Sequence, residues 1–228
     1  MLHKTRGIVL NYIKYRDTSV IVKIYTEVFG LQNYIQNGVR SSNAKTNKMS
    51  LLQPLMILDM VVYHKHGQDL HRISEMKPAY VYTTLHTEHR KIAISSFITE
   101  ILTKCLREET RNEQLFSFIH NSFVTFDHLK NDLFHLQFML NLSQYLGFYP
   151  HSAQEFFEQL TADGLYANTF DSVIYTGFET LLNTTGYEKK VDINPATRSI
   201  LIDLMVRYFS LHIDKFGELK SLKVLREL

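Results

Sequence analysis

The sequence has a single cysteine, Cys105, and no long apolar run, and these two scarcities exclude several classes of protein. One cysteine cannot form an intramolecular disulfide bond, which excludes a disulfide-stabilised scaffold and fits a reducing compartment. No stretch reaches the roughly 18 apolar residues of a transmembrane helix, and the first residues lack the apolar segment of a secretion signal. We therefore expect a cytoplasmic protein that has no membrane partner.

Motifs for catalysis and nucleotide binding are also missing from the sequence. It has no glycine-rich phosphate loop of the G-x-x-x-x-G-K-[ST] or G-x-G-x-x-G type, and no G-x-S-x-G or H-E-x-x-H motif. Two close histidine pairs, His64 with His66 and His86 with His89, lack thiolate partners at metal-site spacing. We therefore expect no cofactor and no metal, and an enzyme is the weakest of the functional hypotheses.

What is present is enough material for a folded core and nearly balanced charge. The 228 residues are 45% hydrophobic, and the formal net charge is only +2. A chain of this length forms one large domain or two small ones. Because the net charge is so small, any binding of nucleic acid must come from a local cationic surface and not from a global field.

The first third of the chain contains five short segments rich in β-branched and aromatic residues, as half-buried strands prefer. A longer connector, with room for a short helix near residues 49–52, separates the third segment from the fourth. This pattern favours a small Greek-key barrel, and the OB-fold is the commonest of that size. We predict an OB-fold domain over residues 1–77, with strands over residues 7–13, 19–25, 31–36, 55–63 and 70–74.

From about residue 78 the apolar spacing changes to the i, i+3, i+4 pattern of helices. The fold class is therefore α+β, with a helical domain over residues 78–228. Cys105 lies on an apolar helical stripe, so we interpret it as a buried hydrophobe and not as a nucleophile. Asp163 and Gly164 suit a tight turn, which predicts a small hairpin near residues 156–168. Helices are predicted over residues 89–107, 115–126, 132–146, 172–183, 194–213 and 219–228.

Cations alternate with aromatic residues along the predicted barrel, and the connector at residues 38–48 has cations and no acidic residue. Single-stranded nucleic acid is held by cations along its phosphates and by rings that stack on its bases. The alternative is a solvated barrel face with the aromatic residues in the core. The candidate DNA-binding residues are Arg6, Lys14, Arg16, Lys23, Tyr34, Arg40, Lys45, Lys48 and Arg72.

Several short segments of the chain together carry a family resemblance. They are residues 5–10 (TRGIVL), 15–26 (YRDTSVIVKIYT), 29–30 (FG), 38–40 (GVR), 52–54 (LQP), 146–150 (LGFYP) and 218–227 (ELKSLKVLRE). Their order and spacing resemble the bacterial recombination mediator family RecO, in particular its branch in Bacteroidetes-like bacteria, and the resemblance covers nearly the whole chain. It implies binding of single- and double-stranded DNA and annealing of complementary strands within the RecF pathway of DNA repair.

The resemblance also implies protein partners and a place in the cell. These partners are the acidic C-terminal tail of single-stranded DNA-binding protein, RecR and, indirectly, RecA, and the protein would associate with the nucleoid during repair. The family places the tail-binding pocket in the helical domain, where our candidates are Arg107, Arg111 and Lys130. A second hypothesis is a protein-interaction scaffold whose DNA contact is incidental. It gains weight if the connector cations do not share a surface with Arg6, Lys14 and Arg16.

One departure from the family pattern concerns zinc. In many members two Cys-x-x-Cys pairs bind a structural zinc after the position equivalent to Pro150, and this sequence has no cysteine there. We therefore expect purified protein to contain no stoichiometric zinc. Atomic emission spectroscopy of protein prepared without added metal measures this directly, and one zinc per chain would contradict the expectation.

Overall fold

The computed structural model describes residues 1–39, 48–107, 111–162, 164, 171–189 and 191–227. The chain divides into two compact units, Met1–Asp127 and His128–Leu228. In the described part of the chain, no helix is both long enough and apolar enough to cross a membrane.

The first unit begins with a closed five-stranded barrel, which confirms the predicted OB-fold. Its strands occur in the order β1-β2-β3-β5-β4, and β4 pairs with β1 to close the barrel. All neighbours are antiparallel except β3 and β5, which are parallel. A short 3-10 helix, Lys48–Leu52, precedes β4. The strands are β1 Leu2–Tyr15, β2 Ser19–Thr26, β3 Gly30–Gln36, β4 Ile57–Tyr63 and β5 His71–Pro78.

Alternating side chains of the five strands fill the barrel, as the two-residue period of a strand requires. Val22, Ile24, Tyr34 and Leu58 are among the fully buried members of this core. Gly7 faces the same interior. A Cβ atom at Gly7 would lie 2.5 Å from Cε of Met60 and 2.6 Å from Cγ2 of Ile24, so this position has no room for a side chain.

A β-bulge changes which side chains of β1 face outward. The pairing with β2 shifts register between Val9 and Asn11, which leaves Leu10 as the extra residue. Before the bulge, the even-numbered Arg6 faces outward because it lies opposite Asp59 of β4, whereas its neighbour Gly7 faces the core. After the bulge, the odd-numbered positions face outward. The two halves of β1 therefore present opposite parities to solvent.

Seven α-helices occur in the described residues, and most of the predicted helices are confirmed. Cys105, the last residue of α1, is buried, and burial raises the pKa of its thiol to about 12, as expected for an inert hydrophobe. Gly147 ends α3 with a φ of 84°, a conformation that glycine adopts without strain. The helices are α1 His89–Cys105, α2 Glu113–His128, α3 Phe134–Leu146, α4 Ala153–Ala162, α5 Ser172–Leu182, α6 Pro195–His212 and α7 Ser221–Arg226.

The predicted hairpin near residues 156–168 is wrong in its first arm, because residues 156–162 belong to α4. Ser152 and Glu155 form a reciprocal cap at the start of this helix. The backbone N–H of Glu155 donates to Oγ of Ser152 at 3.1 Å, and the carboxylate of Glu155 accepts from the N–H of His151 at 2.8 Å. Residues 165–168, the second arm, lie outside the described residues.

Asp127, at the end of α2, fastens the segment that follows the barrel. Its carboxylate accepts the backbone N–H groups of Thr83, Thr84 and Leu85, each at 2.8 Å. The buried Lys91 of α1 donates to Oγ1 of Thr84 at 2.6 Å and to the backbone carbonyl of Asp127 at 2.8 Å. Helices α1 and α2 thus belong to the same compact unit as the barrel. The domain boundary between residues 77 and 78 stays a prediction.

The ionisation of Asp127 follows from these contacts. Burial by itself would raise the pKa of the carboxyl, but the three N–H donors more than offset it and hold the pKa well below its ordinary value of 3.8. Since the folded-state pKa is depressed, the stabilisation is present above pH 4 and is lost as the pH falls below it.

We predict that Asp127→Ala lowers the free energy of unfolding by about 3 kcal/mol at pH 7, because it leaves three N–H donors, one buried and two partly buried, without their acceptor. Urea denaturation followed by circular dichroism measures the change. The control is Asp17→Ala, which removes an exposed carboxylate from the β1–β2 turn. Equal stability of the two variants would show that the network contributes nothing.

Candidate functional site

The outer surface of β2 and β3 carries the clearest constellation of binding side chains in the barrel. Residues directly opposite each other on paired strands point to the same side of a sheet. Ile13, Ile21, Ile35, Arg72 and Tyr63 are partners in succession across β1, β2, β3, β5 and β4. A neighbouring row joins Asn11, Lys23 and Asn33. Four of these residues lie on β2 and β3 themselves, and the others continue the outward-facing band onto β1, β5 and the end of β4. We call this band the β2–β3 face; its residues are Asn11, Ile13, Ile21, Lys23, Asn33, Ile35, Tyr63 and Arg72.

The chemistry of the β2–β3 face suits a polyanion with flat apolar groups. Its eight positions include two cations, Lys23 and Arg72, and no carboxylate. Tyr63 is 48% exposed and Ile13 is 61% exposed, so a ring and an aliphatic side chain are accessible. In OB-folds this face, with the loops after β1 and β4, is the usual site for oligonucleotides. Cations neutralise phosphates, while exposed rings stack on bases.

Arg16 lies in the turn between β1 and β2, beside the end of this face. The turn follows Tyr15, which is paired with Ser19. Arg16 has a φ of 52°, and its guanidinium lies 5.1 Å from the centre of the Tyr15 ring. This cation–π contact holds the arginine against the barrel hairpin.

Lys14 and Lys48, both predicted DNA contacts, are not on the β2–β3 face. Lys14 lies opposite Val20, whose side chain is in the core, so Lys14 projects from the other side of the β1–β2 ribbon. Lys48 begins the 3-10 helix, which buries Leu52 in the barrel. The two other connector cations that were predicted to contact DNA, Arg40 and Lys45, lie outside the described residues.

The expectation that Tyr34 stacks on bases needs correction. Its side chain is fully buried in the barrel core, because position 34 belongs to the inward-facing alternation of β3. Burial also raises the pKa of its hydroxyl above the ordinary value. An incoming base cannot reach this ring. Tyr63, which the sequence analysis did not select, is the exposed tyrosine of the β2–β3 face.

Arg6 lies apart from the β2–β3 face, in a mixed-charge cleft on another side of the barrel, and its contact with DNA stays a prediction. Its guanidinium donates to both carboxylate oxygens of Glu27, at 3.0 and 2.7 Å. The hydrogen bond from Arg6 lowers the pKa of Glu27, against the opposing effect of burial. The cleft has a volume of about 590 Å³, and its charged residues are three cations and three anions: Lys4, Arg6, Lys77, Glu27, Asp59 and Glu75. Such balance is unsuited to phosphate.

The three candidates for a partner tail do not lie in one compact unit. Arg107 and Arg111 are in the first unit, on the segment between α1 and α2, and Lys130 is in the second. Nε of Arg107 donates to the carbonyl of Lys104 at 3.4 Å, and Arg111 pairs with Glu113.

A metal site needs several ligand side chains gathered at one place in the structure. Within the described part of the chain, no group of three or more histidine, cysteine, aspartate or glutamate side chains is arranged to hold one. The zinc content of the purified protein therefore stays a prediction.

Comparison with known proteins identifies the family. The model of the recombination protein O N-terminal domain matches residues 1–82, and that of the C-terminal domain matches residues 86–177. The DNA repair protein RecO of Flavobacterium psychrophilum is 34% identical over 99% of this chain and 98% of its own length. The DNA repair protein RecO of Bacteroides fragilis is 34% identical over 100% and 99%. With both family models matched and these relatives aligned from end to end, the chain belongs to the RecO family of DNA repair proteins.

Proposed function

We propose that this protein is a non-enzymatic mediator of DNA repair and homologous recombination that binds DNA on the β2–β3 face. The observation that carries the proposal is the arrangement of Lys23, Arg72 and Tyr63 among apolar and amide side chains, without a carboxylate at any of the eight positions. Arg16 extends this surface at the β1–β2 turn. The relatives from Flavobacterium psychrophilum and Bacteroides fragilis are both named DNA repair proteins, which supports the same role.

The proposed mechanism needs no nucleotide hydrolysis. Lys23 and Arg72 neutralise phosphates and release counterions, so affinity falls steeply as salt rises. Tyr63 stacks on a base. Ile13, Ile21 and Ile35 provide an apolar surface beneath the bound DNA strand. Two strands held along cationic surfaces repel each other less, which raises the rate at which complementary sequences meet. Annealing of strands follows from this local neutralisation.

The partners in the proposal come from family membership. We place the protein with RecR, the acidic tail of single-stranded DNA-binding protein and, indirectly, RecA, which is loaded on DNA covered by that binding protein. This work takes place in the cytoplasm of a bacterial cell, at the nucleoid. Arg107, Arg111 and Lys130 stay proposed tail contacts. Arg40 and Lys45, which precede Lys48 in the connector sequence, stay proposed DNA contacts.

One observation favours the scaffold as a second candidate. The predicted cations do not form one surface, since Arg6 is bound to Glu27 and Lys14 projects from the other side of the β1–β2 ribbon. As a scaffold, this protein would bind the acidic tail of single-stranded DNA-binding protein, and its own contact with DNA would be weak and nonspecific. Direct measurement of DNA binding separates the two candidates.

We predict that the double variant Lys23→Gln and Arg72→Gln weakens binding of single-stranded DNA and reduces the salt slope by about 0.7 for each phosphate that is no longer neutralised. Fluorescence anisotropy of a labelled oligothymidine across a salt series measures both quantities. The matched control is Lys4→Gln with Lys77→Gln, which removes the same charge from the mixed-charge cleft. If the control pair lowers the slope as much as the first pair, the proposed face is wrong.

We also predict that Tyr63→Ala weakens binding of the same oligothymidine by about 1–3 kcal/mol, the usual effect of removing one stacked base. The salt slope should not change, because no charge is removed. Tyr12→Ala is the control, since Tyr12 is 40% exposed on the other side of the β1–β2 ribbon. A weaker affinity in the control alone would assign stacking to that other side.

A further inference from the structure

A stack of aromatic rings lies where β4 ends and β5 begins. The His64 imidazole is between the ring of Phe29, whose centre is 3.9 Å away at an angle of 15°, and that of His71, 4.2 Å away at 31°. Two further histidines approach its edges: His3 at 6.3 Å and His66 at 5.5 Å. We call this group the histidine stack. It brings together four titratable rings from β1, the β4–β5 loop and β5.

Every titratable neighbour that acts on His64 within the described residues opposes a positive charge there. Burial lowers the pKa of His64 most, followed by His71, His66, His3 and the amino group of Met1. The buried Nδ1 of His64 has no hydrogen-bond partner among the described residues. The site therefore favours the neutral, stacked imidazole, and neither burial nor these neighbours compensate a bound proton.

The stack also holds the backbone around it. The N–H of His64 donates to the carbonyl of Met1 at 3.2 Å, which ties the end of β4 to the start of β1. His71 is one of only two residues of β5 that pair with β3. Separation of the His64 and His71 rings would thus loosen both the β4–β5 loop and the parallel pairing of β3 with β5.

We propose that the histidine stack is a pH-sensitive latch, in which protonation of His64 separates its ring from Phe29 and His71 and releases the loop over residues 64–70. In the closed latch His64 is neutral and its ring is covered on both faces. In the open latch the imidazolium is solvated and lies farther from the other histidines. The loop joins Tyr63 to the strand of Arg72, so an effect of the latch on DNA rests on the proposed function, whereas the latch itself does not.

The direction of the pH dependence follows from linkage. His64 takes up a proton more readily when the latch is open, because an exposed histidine has a pKa of about 6.5. The open form therefore gains population as the pH falls below about 6.5, by about tenfold for each pH unit until the closed form is also protonated. Above pH 7 the latch stays closed.

Hydrogen–deuterium exchange of the whole chain, without DNA, tests the latch. Wild type and His64→Phe are compared at pH 7.5, 6.5 and 5.5, since phenylalanine keeps a stacking ring but cannot titrate. We expect equal exchange at pH 7.5 over residues 1–5 and 63–72, and about tenfold faster exchange in the wild type at pH 5.5. His89→Phe, which replaces an exposed histidine at the start of α1, should behave as the wild type. Comparison at each pH removes the intrinsic pH dependence of exchange.

Equal protection of the wild type and His64→Phe at pH 5.5 would overturn the proposal, as would faster exchange spread uniformly over the chain. If His64→Phe does not fold, as shown by circular dichroism, His64→Gln serves in its place, because it also removes the titrating group. Because no DNA is present, failure of the latch leaves the proposed DNA surface untouched, and failure of the anisotropy prediction leaves the latch untouched.

Discussion

The short parallel seam between β3 and β5 is the constraint on which the rest of the barrel depends. Only two residue pairs form it, Tyr34 with His71 and Ile35 with Arg72. The first pair faces inward and contributes to the core. The second faces outward and places Arg72 beside the β3 surface. This narrow pairing thus joins β3 to β5 within the barrel, places Arg72 on the β2–β3 face and holds one histidine of the stack, so these three features share the same backbone geometry.

The distribution of charge follows from the same closure. Strands β1, β4 and β5 meet along a side where Arg6 pairs with Glu27 and Lys77 pairs with Asp59. Around β2 and β3, by contrast, the outward positions are neutral or cationic. A net charge of +2 hides this difference, because the paired side contributes almost nothing to the sum. The local excess of cations, which matters for phosphate binding, becomes visible only once the strands are paired.

The barrel and most helices could be predicted from the sequence because period and composition are local signals. The side of each strand that faces solvent was harder to predict. The sequence suggested that the ring of Tyr34 faces a DNA-binding groove, but the strand register places it opposite Val22, in the core. The bulge at Leu10 puts Arg6 and Lys14, both even-numbered, on different sides of β1, and alternation alone cannot locate an extra residue. The hairpin was predicted because Asp163 and Gly164 suggested a turn. This local signal was given more weight than the helical spacing of Phe156, Phe157 and Leu160, which lie in α4.

The hydrogen bonds from the N–H groups of residues 83–85 to the carboxylate of Asp127 limit where the chain can be cut without breaking them. The family model of the N-terminal domain ends at residue 82, which is before the N–H donors and far before their acceptor. A gene fragment that ends at residue 82 would encode every strand of the barrel, but neither the N–H donors of residues 83–85 nor the carboxylate of Asp127. A fragment that runs on into α1 would carry the donors and Lys91 but would leave them without their carboxylate. The smallest fragment that keeps both the donors and the acceptor therefore ends at Asp127, in the last turn of α2.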